Sequence, residues 1–138
     1  MNCKRFLIAS LVIFVVITGL DYLITNYLMM ASYEAFKHVW RPDMARKMWM
    51  WYPIGLLTSL LFTYIFIKGR EDKGLLEGVR YGIIIWLFVS VPVSVSFYVL
   101  IPIPYTMAVK WMAIGLLEML VSGVLVAAIY KPAAPKAA

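Results

Sequence analysis

The chain has 138 residues, of which 64% are hydrophobic and 14% charged, and its mean hydropathy is +0.86. Soluble domains are roughly half apolar and a quarter charged, so this composition excludes an ordinary water-soluble domain and predicts a membrane protein. The net charge of +6 does not point to nucleic acid, because the basic residues stand in short flanks of apolar segments and form no stripe on a polar face.

A hydrocarbon core about 30 Å thick takes about 20 apolar helical residues to cross. Four segments reach that length, at about 6–31, 49–67, 75–101 and 107–130. The predicted fold is all-α: a polytopic, four-transmembrane-helix antiparallel bundle forming one domain over 1–132, with an interfacial segment between helices 1 and 2 and a mobile tail at 133–138.

Lys4 and Arg5 precede the first segment. Its apolar run of about 25 residues is longer than the 7–15 of a signal-peptide core, so it reads as a retained span. Asp21 then appears well inside it. At about 100° per residue, Ser10, Thr18, Asp21 and Thr25 share a stripe, which predicts that the carboxylate faces the protein interior.

The connection at 33–47 mixes Phe36, Val39 and Trp40 with Glu34, Lys37, Arg41 and Arg46, as expected of a segment lying on headgroups. Pro42 suits a new first helical turn, with Asp43 favourable near its positive end. Trp49, Trp51 and Tyr52 mark the depth at which the second segment enters lipid, and Pro53 should bend it there. Gly55, Ser59 and Thr63 then place small side chains at every fourth position.

The loop at 68–73 is too short for anything except an antiparallel hairpin. Helix 3 repeats the same spacing at Gly74, Gly78 and Gly82, continued by Trp86, Ser90 and Ser94. A face without side chains lets another backbone come close in lipid. The short loop predicts that the small faces of helices 2 and 3 meet. Glu77 and Arg80, three apart, are expected to form a charge pair near the surface. Pro92 removes one backbone bond and predicts a kink.

Pro102 and Pro104 make the tight turn into helix 4, where Trp111, Gly115, Glu118 and Ser122 share a stripe and Lys110 lies about 80° away from Glu118. An ionisable group in lipid costs roughly 2.5–3.5 kcal/mol on insertion scales, so Asp21 and Glu118 need a partner or a task. Asp21 and Lys110 both fall in the outer half of the bundle, which predicts an ion pair between helices 1 and 4. Glu118 then reads either as a neutral acid bonded across a helix contact or as a member of a proton or cation relay with Asp21 and Lys110.

Seven of the nine methionines lie near one set of helix ends, where the only histidine, His38, also lies. Thioether and imidazole suit Cu(I), with Met44, Met48 and His38 as candidate ligands, although methionine is equally a filler of irregular apolar gaps. Aromatic belts account for Trp40, Trp49, Trp51, Tyr52, Tyr105 and Trp111. A single histidine excludes bis-His haem ligation, and no cofactor is expected. The chain has no P-loop, HExxH, CxxC or nucleophile elbow, which disfavours an enzyme.

Lys4, Arg5, Lys68, Arg70, Lys73, Lys131 and Lys136, with Arg80 just inside helix 3, form one side, against Lys37, Arg41, Arg46, Lys47 and Lys110 on the other. That balance predicts both termini in the cytoplasm. Cys3 then lies on the reducing side and, as the one cysteine, has no intramolecular disulfide partner.

The runs Trp40-Arg-Pro-Asp-Met44, Gly74 to Gly82, Pro102-Ile-Pro-Tyr105 and Ile129-Tyr-Lys-Pro132 together resemble a family of short bacterial four-helix inner-membrane proteins. The resemblance covers most of the chain and implies a bacterial inner membrane, but no activity or functional residue. The acid of helix 1 stands too late for the small multidrug-resistance exporters, whose function is not carried over.

The sequence thus favours an accessory or structural subunit of a membrane assembly, with lipid and either further copies or a larger complex as partners. A small proton-coupled carrier or channel using Asp21 and Glu118 is the alternative, and copper handling a minor one.

Overall fold

A computed structural model describes residues 2–130. Lys131, Lys136 and the tail at 133–138 lie outside the described residues. Four helices are long and apolar enough to cross a membrane: α1 (Cys3–Ala35), α2 (Met44–Lys68), α3 (Leu75–Leu100) and α4 (Tyr105–Ile129). The described residues contain no strand.

Helix α1 starts three residues earlier than the composition predicts, because the Asn2 side chain caps it by accepting the Arg5 N–H at 3.1 Å. It also runs further, to Ala35, through a π-helical stretch at Ile24–Met29. Helix α2 begins at Met44, with Asp43 at its N-cap and the Asp43 carboxylate held by Arg41 at 2.5 Å and Lys47 at 3.0 Å.

The connection between α1 and α2 is therefore short, and its apolar side chains pack on the end of the bundle. Phe36, Val39 and Trp40 fold inward onto a cluster built on Ile24, Met29, Ile103 and Met107. Lys37, His38 and Arg41 remain exposed. Burying three apolar side chains on the bundle end removes more apolar surface from water than a flat interfacial pose would.

Both internal prolines leave local irregularities. Met48–Met50 is 3-10 helix just ahead of Pro53, and Trp86–Ser90 is π-helix just ahead of Pro92. Each proline lacks the N–H that would bond the carbonyl four residues back, so the preceding turn relaxes.

The helices pack in the order α2, α1, α4, α3. α1 packs against both α2 and α4, while α3 lies along α4. Asn2 N–H donates to the Tyr130 hydroxyl at 3.0 Å, so the start of α1, the end of α4 and the α2–α3 loop share one end, here the near face. Ala9, Ile13, Phe62, Phe66, Val126 and Ala127 form the core at this end. The Ile24, Met29, Ile103 and Met107 cluster closes the far face.

The small-residue face of α3 docks on α4, and the expected meeting of α2 and α3 along such faces does not occur. Gly78 lies against the Gly123 carbonyl and Gly82 against that of Met119, so closely that a Cβ on either would collide with backbone. Ser90 fits against Gly115, and Trp86 Nε1 donates to the Met112 carbonyl at 2.8 Å.

Gly55 instead meets the ring of Phe14 on α1. Ser59 donates to the Gly55 carbonyl, and Thr63 is fully buried. The reason is complementarity. Gly123 answers Gly78 and Gly115 takes Ser90, whereas α2 offers hydroxyls and a wide face that accepts the Phe14 ring. Gly74 does not pack at all: it is exposed at φ 76° and turns the chain into α3.

Helices α2 and α3 still touch near the near face, where the Tyr81 hydroxyl donates to the Phe62 carbonyl at 2.8 Å and its ring contacts Phe62 and Phe66. Most of α3 is turned outward, with Leu87, Phe88, Val99 and Leu100 more than half exposed. A polar solvent would not tolerate this surface, and acyl chains would.

Candidate functional site

Asp21 and Glu118 meet across the α1–α4 seam. The two carboxyl groups come close enough to interact electrostatically. Glu118 is half-buried, and its Oε1 has no hydrogen-bond donor among the described residues. Two carboxylates in contact within a medium of low dielectric repel strongly if both are ionised, whereas a proton held between them turns the contact into a short charge-assisted bond.

The surroundings correct two expectations. Asp21 is exposed, although it lies on the same stripe as fully buried Ser10. The seam admits Ser10 to the core at the near face and opens by the level of Asp21, just before the π-helical stretch. The acid pair thus joins an exposed Asp21 to a half-buried Glu118 at the edge of the bundle.

Lys110 does not pair with Asp21. It is exposed, and its Nζ donates to Ser32 Oγ at 2.9 Å. Ser32 stands eleven residues beyond Asp21, or about 16 Å of helix, so Asp21 lies much deeper than Lys110. The two residues share the outer half but not a level: Asp21 stands ten residues below the predicted outer end of its helix and Lys110 only three below that of helix 4.

An aromatic group gathers on the far side of the pair. Trp111 Nε1 donates to the Tyr33 hydroxyl at 3.2 Å. The Tyr33 ring meets Trp40 edge-on at 5.8 Å, and Trp111 contacts both Trp40 at 6.1 Å and Phe97 at 5.8 Å. The Tyr33 hydroxyl is within electrostatic range of both acids. Sequence reasoning assigned these rings to interfacial belts and missed their convergence. The available signal was that Trp111 is seven residues before Glu118, two turns away on the same stripe.

Glu77 and Arg80 do not form the expected pair. Glu77 is 6% exposed and both its oxygens accept backbone N–H groups of the α2–α3 loop, from Glu71 at 2.5 Å and Lys73 at 2.9 Å. Arg80 turns to Glu71 at 2.9 Å. Two otherwise unsatisfied donors outweigh one surface ion pair.

The methionine grouping separates into different roles. Met29 and Met107, each 2% exposed, fill the far core. Met44 and Met48 are exposed at the start of α2, and exposed His38 contacts the ring of Phe36 at 6.4 Å. Among the described residues, no three His, Cys, Asp or Glu side chains converge as metal ligands.

Comparison with protein-family models, with curated proteins and with solved structures finds no match to this chain. The fold and the seam define a four-helix bundle with an acid pair at the level of its apolar spans.

Proposed function

We propose that the chain is a small proton-coupled carrier, a multi-pass protein of a bacterial inner membrane with both termini in the cytoplasm, in which Asp21 and Glu118 bind and release the coupling proton. The observation that carries this reading is the mutual approach of the two carboxyls, one with an oxygen that lacks a donor. A packing role needs only one neutral acid with a hydroxyl or carbonyl partner. Two facing acids create a repulsion that a purely structural contact has no use for. Asp21 is exposed, while the rings of Tyr33, Trp40 and Trp111 gather on the far side. The excess of basic residues at the near face supports the orientation.

The test is proton flux in sealed vesicles carrying a trapped pH indicator. Wild-type protein should dissipate an imposed pH gradient, and Asp21→Asn and Glu118→Gln should each abolish the flux while retaining the helical content and detergent extraction profile of the wild type. Flux absent from the wild type, or unchanged in both variants, would return the protein to the class of accessory subunits.

A further inference from the structure

The α2–α3 loop is more organised than a hairpin turn needs to be. Glu77 pins the N–H groups of Glu71 and Lys73, so the chain between them is held back over the start of α3, with Asp72 at φ 61° and Gly74 at φ 76°. Left-handed backbone at a non-glycine residue is uncommon, and aspartate is among the few side chains that tolerate it. The curled loop roofs a cavity of about 260 Å³ between the ends of α2, α3 and α4. Phe66, Leu75 and Ala127 supply apolar lining, and Arg70, Asp72 and Glu77 supply charge.

Arg70 is the unusual member. Its side chain is only 13% exposed, its guanidinium lies over the Tyr130 ring at 5.5 Å, and its Nε stands 2.8 Å from Asp72 Oδ1. The Asp72 contact is made through Nε, and the fork of terminal nitrogens is the geometry that matches a phosphate. On the acidic side, the Glu77 oxygens are taken by backbone, whereas the Asp72 side chain is 63% exposed.

This charge pattern selects its ligand. A simple anion would meet Asp72 and Glu77, and a simple cation would meet Arg70. A group carrying phosphate and ammonium a few atoms apart would satisfy Arg70 and Asp72 together. The loop joins two apolar spans that end at Lys68 and restart at Leu75, which sets the cavity at the level of lipid headgroups and its apolar lining at the level of the first acyl carbons.

We propose that this cavity binds the headgroup of a phospholipid bearing a primary ammonium, with phosphate on Arg70 and ammonium on Asp72. A quaternary ammonium has no N–H to donate and fits less well.

The experiment uses the full chain purified in detergent, titrated separately with short-chain phosphatidylethanolamine, phosphatidylcholine and phosphatidylglycerol and with soluble O-phosphoethanolamine, and read by native mass spectrometry. Phosphatidylethanolamine should bind about tenfold or more tighter than the other two lipids, the equivalent of one charge-assisted hydrogen bond. Arg70→Gln should abolish the preference. Asp72→Asn, which suits the left-handed backbone, should shift it towards phosphatidylglycerol, since one repelling charge is gone. Lys68→Gln should leave it unchanged. Equal affinity for all three lipids, or a preference unaltered in Asp72→Asn, would overturn the proposal. Soluble O-phosphoethanolamine binding as tightly as the lipid would overturn its lipid part.

Discussion

Gly78 of α3 rests directly on the backbone of Gly123 in α4, and the same two helices repeat this contact one turn on, where Gly82 meets Met119. Backbone contact of this kind leaves no volume for even one methyl group. Gly78→Ala should cost about 1–3 kcal/mol, the range for overpacking a filled interior. Gly19→Ala is the control, since nothing lies within 4 Å of a Cβ built there, and should cause no loss. Thermal unfolding in detergent, followed by helical circular dichroism, checks both.

Glu77 and Arg80 differ in what they hold, and substitution should separate them. Glu77→Ala strands two loop N–H groups that a carboxylate satisfied and should cost about 1.5–3 kcal/mol. Arg80→Ala removes one exposed ion pair with Glu71 and should cost at most about 1 kcal/mol. Limited proteolysis within 69–74 should accelerate in the first variant and stay near wild type in the second.

The acid pair has an opposite sign from an ion pair. If Asp21 were neutralised by Lys110, replacing either would lower stability. Because Asp21 faces Glu118 and Lys110 bonds Ser32, Asp21→Asn should leave the unfolding midpoint at pH 8 unchanged or raise it. Lys110→Met should shift stability by less than about 1 kcal/mol. A clear loss in Asp21→Asn would contradict the observed pairing.

Acid should loosen the two charged connections before it touches the spans. Hydrogen bonds from Lys73 and then Arg80 hold Glu71 below its ordinary value of 4.5, and those from Arg41 and then Lys47 hold Asp43 below 3.8. A depressed carboxylate contributes stability that is complete above its unfolded value and is lost as pH falls through the folded one. Amide exchange at 69–74 and 41–47, corrected for its intrinsic pH dependence, should therefore show constant protection from pH 7 to pH 5 and loss below about pH 4.

The four spans were legible because a solvent change dictates composition, and the docking face of α3 was legible because glycines at every fourth position have one common use in lipid. Its partner was not. Both α2, with Gly55, Ser59 and Thr63, and α4, with Gly115 and Gly123, offer small residues, and only volume complementarity around Phe14 and Gly123 decides between them. The two deep acids were also legible singly. So was their pairing: Asp21 stands ten residues from the predicted outer end of its helix and Glu118 eleven from that of helix 4, a closer match in depth than the shared outer half that paired Asp21 with Lys110. Glu77 was misread since i, i+3 spacing reports nearness along a helix and is blind to a loop that folds back with donors to satisfy.

The order of the helices bears on how the molecule is made. α1 meets α2, and α3 meets α4, so two of the three main packed pairs consist of neighbours in the chain joined by a short connection, and the halves are bridged by the seam between α1 and α4 together with the Tyr81 contacts to Phe62 and Phe66. During synthesis the first hairpin is complete before the second has left the ribosome, and neither needs to wait for a distant partner. A chain cut between Gly69 and Gly74 and expressed as two pieces retains every one of these neighbour pairings, so the halves should find each other in the bilayer and reassemble.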